Sequence, residues 1–185
     1  MIGIKSAAAA SLVALTAMGL TSTRPVFAAS AGELTRDGKS ALATLYRGQP
    51  SAKVLGPKAT AILVFPKMVK AGFMFGGQMG EGVLLKGGKA AGFYSSVAGS
   101  YGLQAGIQSF GYALFFMNKA ALQQLDATKG FEVGIGPSLV VVDEGVGRSI
   151  TSNTITSDVY AFIFDQKGLM AGMGIQGSKI SRIQK

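Results

Sequence analysis

Residues 70–111 read KAGFMFGGQMGEGVLLKGGKAAGFYSSVAGSYGLQAGIQSFG. They carry twelve glycines, at 72, 76, 77, 80, 82, 87, 88, 92, 99, 102, 106 and 111. Phe, Met, Tyr, Leu and Val fill the spaces between them, which is too apolar for a flexible linker. Large apolar residues alternate with Gly, Ala, Ser and Gln at a period of two, the pattern of strands with one crowded face and one small face. Glycine inside a strand costs stability because it packs nothing and loses more chain entropy than other residues. Its abundance here therefore predicts a geometric need: a tightly coiled sheet, bulges, or an element that approaches the backbone closely. Gly99, Gly102, Gly106 and Gly111 are expected where the facing surface needs room. Gly87-Gly88, flanked by Lys86 and Lys89, predicts a two-residue hairpin turn.

Upstream, TAILVFP (60–66) is a compact β-branched and aromatic run and reads as a buried strand closed by Pro66. Before it, Leu34, Ala41, Leu42 and Leu45 recur at roughly helical spacing, with Arg36, Lys39 and Arg47 off that stripe; Gly38 weakens the pattern and Pro50 ends it. SAKVLGPKA (51–59) predicts a short helical turn interrupted at Gly56-Pro57. Downstream, NKAALQQLDATKG (118–130) predicts one inserted helix, capped by Asn118 and stopped at Gly130. Three further strand-like segments follow, with turns at 143–145 and 166–168. The fold class is thus α+β: a mainly antiparallel curled or barrel-like sheet of about seven or eight strands, with N-terminal helices and one short inserted helix.

Residues 1–28 read as a secretory leader. Lys5 opens it, Ala7 to Leu20 form an apolar run shorter than the roughly 20 residues a bilayer span needs, and Val26-Phe27-Ala28 offers a cleavage site after Ala28. Residues 29–58 form a helical segment packing on the domain, and 59–185 the Gly-rich β domain, so that 29–185 is one unit in the periplasm or outside the cell. The chain has 18 basic and 9 acidic residues. Without Lys5 and Arg24 the balance is 16 against 9, a net charge of +7, which favours anionic partners. Outside the cytoplasm that means a membrane surface rather than nucleic acid.

The sequence contains no His, no Cys and no Trp. A Ser-His-Asp or Cys-His system cannot be built, and zinc and most transition metals lose their preferred ligands. Asp143-Glu144, the one adjacent carboxylate pair, fits a polar turn between strands. GKS at 38–40 ends like a phosphate loop, but Glu33 stands where that pattern needs glycine. GEG at 80–82 begins a dinucleotide fingerprint whose third glycine is replaced by Leu85. These readings imply no enzyme, no cofactor and no metal.

Four blocks in order, KAGFMFGGQMGEGVLL, GFYSSVAGSYGLQAGIQSFGYALFFMNKAAL, GPSLVVVDEG and SDVYAFIFDQKGLMAGMGIQGSKI, resemble the SYLF domain family, also called the yeast-type actin-binding domain family. The resemblance spans Leu34 to Ile183 and implies a lipid-binding module of the bacterial secreted or periplasmic type. Phe93-Tyr94-Ser95-Ser96 stands where eukaryotic members tend to show Trp-Ser-x-Pro, and with the leader this argues against actin as the native partner; general anionic-lipid binding carries over better. The expected contacts with anionic phospholipid are Arg36, Lys39 and Arg47 on the leading helix, with Lys53, Lys58, Lys67, Lys70, Lys86 and Lys89 near helix or hairpin ends. The alternative is a small outer-membrane β-barrel or other structural envelope protein.

Overall fold

The computed structural model describes residues 29–127, 131–132, 139–142, 155–168 and 178–185, with the side chains at 73–75, 100–105, 127, 131 and 132 excepted. The leader, the Gly130 stop and the turn at 143–145 lie outside the described residues.

Helix α1 spans Ala31–Gly48. Its start is fixed by a reciprocal cap: Ser30 Oγ accepts from the Glu33 amide at 3.3 Å while Glu33 Oε2 accepts from the Ser30 amide at 2.9 Å. Leu34, Gly38 and Leu45 are its buried stripe. Gly38 sits inside the helix as a point of close contact, since a Cβ there would collide with Val83 Cγ1. A short helix α2, Pro50–Leu55, follows with Pro50 in its first turn, and a 3-10 turn at Gly56–Lys58 leads into the sheet.

Two very long strands dominate. β1 runs Ala61–Lys86 and β2 runs Lys89–Phe116, paired antiparallel along their length. The apolar run at 60–66 and the Gly-rich stretch after it are thus parts of one long hairpin. Gly87 and Gly88 form its tip with φ of 55° and 75°, the two positive values a type I′ turn requires. Pro66 does not close the first strand. The register with β2 slips between Phe65 and Met68, so the residue that lacks an N–H falls in an irregularity. Among the described residues β1 pairs only with β2, and a proline is tolerated on such an edge.

Helix α3, Lys119–Ala127, follows β2, and Asn118 Oδ1 caps it by accepting from the Ala121 amide at 2.8 Å. The remaining described strands are β3 (Phe131–Glu132), β4 (Leu139–Val142), β5 (Val159–Gly168) and β6 (Lys179–Ile183). β2 carries β5 beside its C-terminal part and β6 beside residues 93–97, β3 extends β6, and β4 lies parallel to β5. The expected turn at 166–168 is instead part of β5, where Asp165 takes a φ of 50° and the register with β2 shifts. Among the described residues the sheet is mostly antiparallel and not closed.

The strands are buried on both faces where their sequence is a continuous apolar run. Leu63, Phe65, Tyr112, Leu114 and Ala161 enter one core with α3, while Val64, Val83, Leu85, Phe115 and Phe162 enter another with α1. The hairpin also folds back across itself. A Cβ on Gly82 would lie 2.8 Å from the Val64 carbonyl oxygen and 2.7 Å from Phe65 Cδ1, and one on Gly80 would lie 2.8 Å from the Lys67 carbonyl oxygen. Glycine at these two positions lets the end of β1 touch the backbone of its own beginning. Gly111 meets the Phe164 ring in the same manner, but Gly99, expected to need room, faces open space.

Candidate functional site

Helix geometry sorts the α1 residues. At 3.6 residues per turn, Arg36 and Arg47 lie about 20° apart around the axis and Lys39 about 60° to the other side of Arg36, opposite the buried stripe. All three are exposed. Arg36 Nε meets Asp37 Oδ1 at 3.2 Å, and Arg47 Nη2 donates to Thr44 Oγ1 at 3.0 Å. The first is a solvent-screened ion pair that contributes little and leaves the cation available.

The hairpin tip and the α2 region converge on a cleft of ≈ 470 Å³. Its walls include Leu42, Tyr46, Ile62 and Leu85, with Lys53 in the lining and Gly87-Gly88 at the margin. Lys86 and Lys89 bracket the tip as a register pair, and Lys58 follows the lining residue Pro57. Lys53, Lys58, Lys86 and Lys89 are exposed. Of the expected contacts Lys53 enters this lining, which holds no carboxylate, while Lys58, Lys86 and Lys89 are exposed chain neighbours of the lining residues Pro57, Gly87 and Gly88.

Two neighbouring clefts differ. One of ≈ 340 Å³ places exposed Lys67 with Asp37 and Glu81, and one of ≈ 220 Å³ is lined by Asp37 and Asp165. Glu81 is further engaged by Lys185 Nζ at 2.8 Å. Lys70 departs from the expected set. It is only 4% exposed and stands in register with Gln108, itself 6% exposed, on the inner face of the curled sheet. The bulge at Pro66 sets this: the extra residue switches the side-chain alternation, so that Lys70 follows Met68 inward.

Leu42, Tyr46, Ile62 and Leu85 were not legible as a site. Leu42 and Tyr46 share a helix face by their four-residue spacing, a signal for packing rather than for an opening. Burial pushes the Tyr46 hydroxyl pKa up. Elsewhere, buried Tyr94 donates to Asp126 Oδ1 at 2.6 Å, and Arg182 Nη1 lies 3.5 Å from the same oxygen, tying β2, α3 and β6 together. Burial first, and then the ionised Asp126, raise the Tyr94 pKa far above the ordinary phenol value. Tyr112, stacked on Phe65 with ring centroids 5.9 Å apart, is raised by burial alone. Among the described residues, no helix is long and apolar enough to cross a membrane.

Residues 97–185 match a family model, Ysc84, described as Las17-binding protein actin regulator. The match opens within β2 and runs to the end of the chain, so it includes α3 and β3 to β6. All nine basic residues singled out above precede it. No curated protein matches the chain.

Proposed function

Residues 97–185 belong to the Ysc84 family, the SYLF family of binding domains, and from that premise we propose that this protein is a lipid-binding module that docks reversibly on anionic phospholipid. The observation that carries this reading is an apolar cleft with Lys53 and no carboxylate in its lining, whose lining residues Pro57, Gly87 and Gly88 have the exposed Lys58, Lys86 and Lys89 as chain neighbours. The outward face of α1 adds Arg36, Lys39 and Arg47 to the positive surface. Each basic residue close to an anionic bilayer contributes about 1 kcal/mol. Four to six of them sum to millimolar or tighter binding, enough for docking that reverses with salt. The leader-like residues 1–28 support a periplasmic or secreted location, where the partner is an envelope membrane and not an actin regulator. The chemistry asked of the protein is attachment, and no catalytic step enters.

Co-sedimentation with vesicles tests it. Binding to vesicles containing phosphatidylglycerol, loss of that binding as salt rises, and no pelleting with phosphatidylcholine alone are expected. Equal binding to both compositions, insensitive to salt, would remove the electrostatic basis.

A further inference from the structure

We propose that the cleft between α1, the Gly56–Lys58 turn and the hairpin tip takes the chain of a single anionic amphiphile, with its head group held at the lysine rim. The inference rests on the docking reading and deepens it from a charged surface to a site for one molecule. Three features select this occupant. The ≈ 470 Å³ volume falls within the roughly 300–1,000 Å³ of small-molecule sites. Leu42, Ile62 and Leu85 give it alkyl walls, and the Tyr46 ring gives a flat one. The charge beside those walls is Lys53, with Lys86 and Lys89 at the tip, whereas the two neighbouring clefts carry Asp37 with Glu81 or Asp165. A cationic head would meet no counter-charge in the lining. A fully polar anion would leave the alkyl walls without a partner. An alkyl chain ending in an anion satisfies both halves of the site.

The setting also suits entry from a membrane. Gly87 and Gly88 add no side chain at the margin, and nothing lies within 4 Å of where a Cβ would stand on either. This margin adjoins, along the chain, the exposed Lys86 and Lys89. A lipid chain can pass into the cleft while its head group keeps the lysine contacts that bring the protein to the surface.

The probe is dodecanoate, titrated below its micelle concentration into the purified protein by calorimetry, beside phosphatidylglycerol vesicles in a parallel co-sedimentation. Saturable one-to-one binding is expected. Decanoate, two methylenes shorter, should bind about fifteen-fold more weakly, at about four-fold per methylene. Dodecyltrimethylammonium should not saturate. Lys53→Gln should weaken dodecanoate about five-fold. Ala59→Phe, which places a ring in the lining, should abolish its binding while leaving the circular dichroism spectrum unchanged. Dodecanoate that fails to saturate, the cationic amphiphile binding as well as the anion, or no dependence on chain length would overturn the cleft. Those results with vesicle binding intact refute the cleft alone. Loss of vesicle binding itself refutes the docking reading, whatever the dodecanoate curve shows.

Discussion

Gly82→Ala is the sharpest test of the folded-back hairpin. The new methyl would stand 2.8 Å from the Val64 carbonyl oxygen and 2.7 Å from Phe65 Cδ1, both closer than real Cβ contacts come. Neither neighbour can yield cheaply. The carbonyl is backbone within the β1–β2 ladder, and Phe65 is fully buried against the Tyr112 ring. Overpacking of this sort costs about 1–3 kcal/mol, and rigid neighbours place it at the upper end. Lower entropy of the unfolded chain returns about 0.4–1 kcal/mol, so the net loss is roughly 2 kcal/mol. For a chain of this size that lowers the Tm by roughly 4–8 °C. Gly99→Ala is the matched control: it is exposed, nothing lies within 4 Å of the new Cβ, and its Tm should hold or rise slightly. The pair is read by thermal unfolding followed by circular dichroism. A Gly82→Ala protein as stable as wild type, or a Gly99→Ala protein that loses as much, would refute the self-crossing of the hairpin.

Other predictions follow from the same contacts. Tyr112→Phe keeps the stack on Phe65 and removes a buried hydroxyl with no hydrogen-bond partner among the described residues, so urea unfolding should show stability unchanged or higher by about 1 kcal/mol. Because Tyr94 and Tyr112 have raised pKa values in the folded state, the unfolded chain releases their protons first. Their contribution is whole below pH about 10 and lost as pH climbs beyond it, so stability should fall on the alkaline side, and less steeply in Tyr112→Phe. Lys86→Gln with Lys89→Gln should weaken binding to anionic vesicles about thirty-fold, two cations at about 1 kcal/mol each, without changing the Tm by more than a degree or two.

Much of the fold was written locally and could be read locally. Gly87-Gly88 between two lysines specifies its turn by backbone chemistry alone. Leu34, Leu42 and Leu45 mark the inner side of α1, and Asn118 marks the start of α3. The misreadings share a cause: tertiary contact reverses a local preference. Gly38 looks like a helix defect until Val83 is found against it. Pro66 looks like a strand end until β1 proves to be an edge strand with a bulge there. That bulge also explains Lys70, because one extra residue turns the alternation over and carries a lysine inward. The positive surface was visible as composition and as single residues near element ends. The cleft was not, since Leu42, Lys53, Ile62 and Leu85 come from a helix, a helical turn and both ends of β1, and no spacing in the sequence links them.

The central claim is that the hairpin tip and its lysines face the membrane. The chain has no cysteine, so one introduced thiol gives one label site. A polarity-sensitive fluorophore on Ala90→Cys, exposed beside the tip, and on Gln124→Cys, exposed on α3, reports which side meets the bilayer. With phosphatidylglycerol vesicles, emission at position 90 should shift to the blue and return when salt is raised, while position 124 stays unchanged. No shift at 90, or a shift at 124 in its place, would contradict the account.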